Sequence, residues 1–164
     1  MSDGFRRAES HEVEAVFSII KRRIQWMDEK GIQQWNRCDY LNLFPMDYYV
    51  EQQRLGNLYV FSETTVKGAV VLLEEDERWS DISDTSAIYV HNFVGDVNAP
   101  GTGKRILAIV EDIAAKKGKH YVRLDCMHDN ALLNRFYESL GYEPCGQCQV
   151  GSYIGNRKQK RITA

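Results

Sequence analysis

A glycine-rich turn, Asn98 to Lys104, separates a β-rich apolar run from an amphipathic stretch, and this arrangement restricts the fold more than any other feature. The run Ala87 to Val94 is apolar enough to be a central strand of a sheet. Apolar residues recur at helical spacing after the turn, up to a stop at Gly118. A buried strand followed by a helix predicts an α/β or α+β domain with a mixed sheet.

The same periodicity arguments predict the other elements. We expect a short strand at Phe5 to Ala8, then a helix capped by Ser10 that ends at Gly31. A second helix begins at Pro45 and stops at Gly56. Further strands are predicted at Leu58 to Ser62, Gly68 to Glu75 and His120 to Cys126, a further helix at Leu132 to Leu140, and one or two strands after Gly141.

Length and composition indicate a single domain over residues 1–164. The formal net charge of -2 gives no general reason to bind nucleic acid. Every apolar run is too short to span a bilayer, and the N-terminus lacks the apolar stretch of a secretory signal. We therefore expect a cytoplasmic protein with reduced cysteines and with neither a membrane nor a nucleic acid as its partner.

Two features of the C-terminal region have structural interpretations. The basic run at 157–161 is typical of an exposed edge strand that is protected by its charge. Cys145 and Cys148 have the spacing of a redox pair or half a zinc site, but they follow Pro144 in a strand region and not at a helix N-terminus. The sequence therefore predicts neither a redox site nor a metal site.

The turn Asn98 to Lys104 has the chemistry of a phosphate site. Glycines let the backbone approach a ligand, and N–H groups at a helix start point the same way as the positive end of the helix dipole. The turn nearly matches a P-loop, with Gly103 and Lys104 in register. However, Asn98 replaces the first glycine and Arg105 replaces the magnesium-binding Ser or Thr, so a P-loop-like nucleotide-binding protein is the weaker alternative.

A second block, residues 130–142, supports a different interpretation. Asn130 and Tyr137 are seven residues apart, which is two helical turns, so both project from one face. With Gly101 and Gly103, this block resembles the GNAT acetyltransferase superfamily, whose motifs are R/Q-x-x-G-x-G/A and a helix of the form N-x-x-x-x-x-x-Y-x-x-x-G-[FY]. The resemblance implies a GNAT-type acyl-CoA N-acyltransferase fold, a mixed central sheet flanked by helices.

This resemblance implies an N-acetyltransferase that moves an acetyl group from acetyl-CoA to a primary amine. It assigns the backbone of Phe93 and Val94 to the pantetheine arm and the acetyl carbonyl, and Asn130 to the pantetheine or an ordered water. Asn98 stands where the family usually has Arg or Gln, so a non-catalytic acyl-CoA sensor or interaction module is the alternative. The implied pyrophosphate donors are the amides of Asn98, Ala99, Gly101, Thr102, Gly103 and Lys104.

The resemblance also makes Tyr137 the candidate general acid for the departing thiolate. His91 is the candidate base, since an imidazole ordinarily titrates near neutral pH, and strand alternation puts it on the same face as Phe93. A buried structural histidine is the competing interpretation. A water relay without a dedicated base is also open, as are the carboxylates of Glu75, Asp81 and Asp125.

The acceptor is not named by the sequence, although a small molecule is favoured over a protein and a homodimer is compatible with the pattern. Aromatic residues in the irregular segments, Trp35, Tyr40 and Trp79, are candidates for the wall of an acceptor pocket. The carboxylates that we expect to attract a cationic amine there are those of Asp39, Glu75 or Asp81.

Overall fold

The structure, a computed structural model, describes residues 4–163. Its centre is a seven-stranded sheet in which all neighbouring strands are antiparallel except one parallel pair, β4 and β5. The mixed sheet predicted from the sequence is therefore confirmed. The strands are β1 (Phe5–Arg7), β2 (Leu58–Ser62), β3 (Val66–Leu73), β4 (Ala87–Gly95), β5 (Tyr121–Met127), β6 (Glu143–Val150) and β7 (Tyr153–Arg161), in the spatial order β1-β2-β3-β4-β5-β7-β6.

Helices cover both faces of this sheet. One apolar cluster packs the sheet against the fourth and fifth helices, and a second cluster packs its other face against the first and third. Each helix buries one apolar stripe, which is why helical periodicity predicted most of them. The helices are α1 (Val13–Lys30), α2 (Tyr40–Leu43), α3 (Met46–Arg54), α4 (Thr102–Lys116) and α5 (Ala131–Ser139), with 3₁₀ turns at Ser10–Glu12 and Glu77–Trp79.

The ends of α1 agree only in part with the prediction. Gly31 ends the helix in the left-handed region, with φ 67°, as the sequence indicated. The predicted cap at Ser10 is wrong, because Ser10 lies inside the preceding 3₁₀ turn. The carboxylate of Glu12 accepts the N–H of Glu9 at 2.8 Å and thereby satisfies a free donor at this end.

The basic run at 157–161 does not form an edge strand, so that prediction is wrong. It belongs to β7, which lies between β5 and β6. Strand order depends on distant pairing, which a local charge pattern does not encode. The cations are matched by acidic partners from other elements: Arg157 with Asp81 at 2.6 Å, Lys158 with Glu138 at 2.9 Å and Lys160 with Glu111 at 2.6 Å.

A β-bulge in β4 changes which side chains share a face. The pairing with β3 shifts register between Ala69 and Val71, and opposite this point Asn92 has a φ of 50°. One additional residue reverses the alternation beyond it. Phe93 therefore packs toward the α4 and α5 cluster while His91 points to the other face. The prediction that these two side chains share a face is wrong.

Strands β4 and β5 diverge soon after they begin. They pair only from Ala87 opposite Tyr121 to Tyr89 opposite Arg123. From Val90 onward, within the described residues, β4 has a pairing partner on its β3 side alone. Backbone groups along the other edge are thus available to a ligand.

Candidate active site

A cleft of about 600 Å³ opens where β4 and β5 diverge. Its walls come from α1, the loop before α2, the start of α4, α5 and the β6–β7 hairpin. Asn98 and Trp79 do not line it. The predicted site residues that do line it are Trp35, Tyr40, His91, Phe93, Val94, Ala99, Gly101, Thr102, Gly103, Lys104, Asn130 and Tyr137.

The glycine-rich turn supplies fewer free amides than predicted. The N–H of Asn98 binds the Asp96 carboxylate, that of Ala99 binds the Asp96 carbonyl, both at 3.0 Å, and that of Thr102 binds the Ala99 carbonyl at 3.3 Å. Asp96 therefore consumes donors by stabilising the turn. The N–H groups that form no hydrogen bond with any described residue are those of Gly101, Gly103 and Lys104.

The two glycines of this turn are required for different reasons. Gly101 has a φ of 87°, in the left-handed region that favours glycine, with open space where a side chain would begin. Gly103 is helical, and a Cβ there would lie 3.2 Å from Cζ of Phe93. The first glycine allows the turn, and the second allows close packing beside the free amides.

Arg23 is a site residue that sequence reasoning missed. Its Nη2 donates to the carbonyl of Gly95 at 2.7 Å, close to the N–H of Gly103, and its side chain lines the cleft. Burial lowers its pKa and the nearby charge of Asp96 partly opposes this, but an arginine stays protonated. With Lys104, it puts two cations beside the three free amides, an arrangement suited to a pyrophosphate.

Tyr137 lies on α5 with its ring buried and its hydroxyl free of hydrogen bonds to other described residues. Burial raises the pKa of this phenol, with a smaller contribution from the thiol of Cys126. The phenol therefore keeps its proton at neutral pH. A neutral hydroxyl in a cleft is a potential proton donor.

Asn130 serves first as the cap of α5. Its Oδ1 accepts the N–H of Leu133 at 3.1 Å. Its Nδ2 donates to Gln34, although this contact is long at 3.4 Å. The structure thus gives Asn130 a helix-capping contact, and its position fixes the first turn of the helix that carries Tyr137.

Gln34 connects the loop after α1 to this same region. Its Oε1 accepts the N–H of Met127 at 2.9 Å at the end of β5, in addition to the contact with Asn130. The side chain is buried and lines the cleft. Sequence reasoning missed it because its partners lie more than ninety positions away.

His91 forms a close pair with a carboxylate. Its Nε2 lies 2.7 Å from Oδ2 of Asp76. Burial of Asp76 acts to raise its pKa, but the hydrogen bond and charge of His91 act against this, and the net pKa is below the ordinary value. An imidazole oriented by a carboxylate has its second nitrogen available, which is the geometry of a general base.

The alternative bases are placed differently. Glu75 lies outside the cleft, and Asp81 is bound to Arg157 through both oxygens at 2.6 and 3.0 Å. Asp125 does line the cleft. It accepts the hydroxyl of Tyr153 at 2.6 Å.

Two of the three predicted aromatic residues form one wall of the cleft. Trp35 stacks on Tyr40 with ring centroids 4.4 Å apart. Burial raises the pKa of Tyr40, whose hydroxyl accepts from Nδ2 of Asn92 and contacts the hydroxyl of Tyr49 at 2.8 Å. This wall is therefore hydrogen-bonded to the bulge of β4.

The acceptor-wall predictions for Trp79 and Asp39 are wrong. Trp79 is buried in a separate cluster with Tyr89, and its indole packs against two guanidinium groups, those of Arg123 and Arg157, 5.0 and 4.9 Å away. The indole of Trp79 thus packs in the core and does not line the cleft. Asp39 lies outside the cleft, with its carboxylate bound to Nδ2 of Asn42 at 2.9 and 3.0 Å.

Within residues 4–163, His, Cys, Asp and Glu side chains do not gather into a group of three that could hold a metal ion. Cys145 and Cys148 are free thiols in β6. Burial raises the pKa of Cys148 to about 11, so it is protonated and weakly reactive at neutral pH. No helix of the described chain has the length and apolar character that crossing a membrane requires.

A cleft between diverging strands, with free amides and two cations at one end and a buried phenol within it, is suited to an acyltransferase that uses an acyl-CoA donor. The model of the "Acetyltransferase (GNAT) family" matches residues 21–142. The chain belongs to this family. The P-loop alternative is therefore wrong, and the superfamily and fold predicted from the sequence are confirmed.

Individual relatives agree with this assignment. The chain is 27% identical to "Uncharacterized N-acetyltransferase YesJ" of Bacillus subtilis over 179 residues, covering 100% of this chain and 94% of the relative. A GNAT family acetyltransferase from Listeria monocytogenes matches with a TM-score of 0.77 at 20% identity, over 96% of this chain and 94% of that one. The PaiA N-acetyltransferase of Thermoplasma acidophilum, solved with coenzyme A, matches with a TM-score of 0.73 at 16% identity, over 98% and 99%.

Proposed function

We propose that this protein transfers an acetyl group from acetyl-CoA to a primary amine within the cleft between β4 and β5. The observation that carries the proposal is the unpaired edge of β4, which leads to the free amides of Gly101, Gly103 and Lys104. An extended amide-containing arm can pair with such an edge as an added strand does. A pyrophosphate at its end would meet the amides and the side chains of Arg23 and Lys104.

The chemistry assigns one role to each group. The imidazole of His91, oriented by Asp76, takes a proton from the ammonium form of the acceptor, and the neutral nitrogen then attacks the thioester carbonyl carbon. A backbone N–H of β4 near Phe93 stabilises the negative charge that develops on the carbonyl oxygen. The carbon–sulfur bond breaks, and Tyr137 protonates the departing thiolate. The nitrogen loses its additional proton, which restores the phenol of Tyr137 through solvent. The products are an N-acetylated amine and the free thiol of CoA.

Two solved structures of this fold contain the proposed donor or its product and leave the acceptor open. The Thermoplasma protein was solved with coenzyme A, and YncA of Salmonella typhimurium, which matches this fold with a TM-score of 0.62, was solved with acetyl-CoA. At 16% and 19% identity these matches show the fold alone. A cytoplasmic location and a homodimer stay predictions from the sequence.

The test is release of free CoA from acetyl-CoA, followed with a thiol reagent against a panel of amines. We expect turnover with at least one primary amine and the matching mass increase of acetylation in the product. The sensor alternative predicts that acetyl-CoA binds while every amine leaves it intact, and that result would end the catalytic proposal.

A further inference from the structure

The side chain of Arg78 pairs with a carboxylate through only one of its nitrogens. Its Nη1 alone contacts both oxygens of Asp125, each at 3.3 Å. Some other arginines use two nitrogens on two oxygens, as Arg6 does with Glu12 at 2.6 and 2.9 Å. Two parallel hydrogen bonds are the strongest arrangement for this pair of groups. The contact with Asp125 thus leaves most of the guanidinium unused.

Arg78 lines the cleft, and one edge of its guanidinium, formed by Nε and Nη2, is unused. Its Nε and Nη2 form no hydrogen bond to any described residue, although the side chain is only 24% exposed and lines the cleft wall. Neither nitrogen is fully buried, so both are open to a ligand group. The edge can be satisfied by an anionic group with two oxygens.

Arg78 is also close to the pair that we propose as the base. Its backbone N–H donates to Oδ1 of Asp76 at 2.9 Å, and Oδ2 of the same carboxylate contacts His91. The backbone of Arg78 and the imidazole of His91 are therefore bound to one carboxylate. The charge of the guanidinium also acts on Asp76, and Arg78 and His91 both line the cleft, so one ligand there can contact both side chains.

The charges of this region fit an ammonium group as well as an anion. Asp76 and Asp125 are negative and Arg78 is positive, so with a neutral His91 the region is net negative. That charge attracts an ammonium group, while the free edge of Arg78 can bind a carboxylate. An amino acid carries both groups on neighbouring atoms.

We propose that the acceptor is an amino acid and that Arg78 determines specificity by binding its carboxylate. This inference depends on the proposed acetyl transfer and adds the acceptor class to it. The stacked rings of Trp35 and Tyr40, which line the same cleft, contact the side chain of the acceptor.

The experiment compares amino acids with the amines that lack only the carboxylate. Three pairs cover aromatic, apolar and cationic side chains: L-phenylalanine with phenethylamine, L-methionine with 3-(methylthio)propylamine, and L-lysine with cadaverine. For the preferred pair, kcat/KM of wild type for the amino acid should exceed that for the amine by about 10- to 100-fold. Arg78→Met should remove this preference by lowering only the amino acid value.

Arg54→Met is the matched control, since Arg54 is exposed on α3 and binds only Glu51. It should keep the wild-type preference. Asp125 retains its bond from Tyr153 in Arg78→Met, so we expect that variant to fold, which its melting temperature checks.

Equal values for amino acid and amine, or equal losses for both in Arg78→Met, would overturn the proposal. The same compounds are also tested for raising the melting temperature of the CoA-bound protein, which does not depend on turnover. A rise with amino acids alone, lost in Arg78→Met, supports the acceptor class even if acetyl transfer fails. No rise and no turnover with any compound contradicts it, and CoA release with other amines would then show that only the acceptor class is wrong.

Discussion

Replacing Tyr137 by Phe removes one oxygen and keeps the ring. The hydroxyl forms no hydrogen bond to another described residue, so the folded state loses little when it is removed. We expect the free energy of unfolding to change by no more than about 1 kcal/mol. The ring contacts with Phe136 and Tyr142, at centroid distances of 5.4 and 5.9 Å, remain.

The effect on turnover should be far larger than the effect on stability. A positioned proton donor typically contributes about 10² to 10⁴ in rate. That range corresponds to about 3 to 5 kcal/mol of activation free energy. Because the proton is needed only when sulfur departs, the loss should appear in kcat, with the affinity for acetyl-CoA nearly unchanged.

Tyr142→Phe is the matched control. Tyr142 packs beside Tyr137, but its hydroxyl donates to Glu111 at 3.1 Å and it does not line the cleft. This variant should lose about 1 to 2 kcal/mol of stability and keep its turnover. Thiol release is measured for both in a single-turnover assay, where chemistry limits the rate. Wild-type turnover by Tyr137→Phe under these conditions would refute the assignment of the acid.

Three further predictions concern other parts of the site. Gly103→Val should weaken acetyl-CoA binding at least about tenfold, because its Cβ displaces Phe93 beside the free amides. Gly101→Val should weaken this binding through backbone strain, since residue 101 has a positive φ. Calorimetry measures the affinity of both variants. His91→Ala should lower kcat/KM most at neutral pH and remove the acidic limb of the pH profile, while a profile equal to wild type would make His91 structural. The pKa of Asp76 is lowered in the fold, so its stabilising contribution is present above its ordinary value of 3.8 and is lost as the pH falls through the lowered pKa. The difference in melting temperature between wild type and His91→Ala should therefore shrink in acid.

Much of the fold could be predicted from local patterns. The apolar run of β4, the glycine-rich turn and the stripes of α4 and α5 each follow from spacing within a few residues. Gly31 ends α1 as predicted, because a left-handed residue at a helix end favours glycine. The predicted site residues on the turn and on α5, from Gly101 to Tyr137, line one cleft. Their placement follows from the positions of these locally predicted elements.

The rest depends on contacts between distant segments. The bulge at Asn92 adds one residue to β4 and puts His91 and Phe93 on opposite faces of the strand. The only local signal for it in the sequence is an Asn, a residue that tolerates positive φ, within an apolar run. Gln34 contacts Met127 across the cleft, and Arg78 contacts Asp125 across the sheet. Periodicity within a short segment does not predict such contacts. The roles of Gln34 and Arg78 were therefore missed, and β7 was wrongly predicted to be an edge strand.

Binding of acetyl-CoA is the most direct test of the central claim, that the cleft between β4 and β5 is a donor site. We expect calorimetry to show saturable binding of acetyl-CoA to wild type with one site per chain, weakened in Gly103→Val. ATP with magnesium should give no comparable heat, since Arg105 stands where a magnesium ligand is needed. Tight magnesium-dependent ATP binding without any binding of acetyl-CoA would contradict the account.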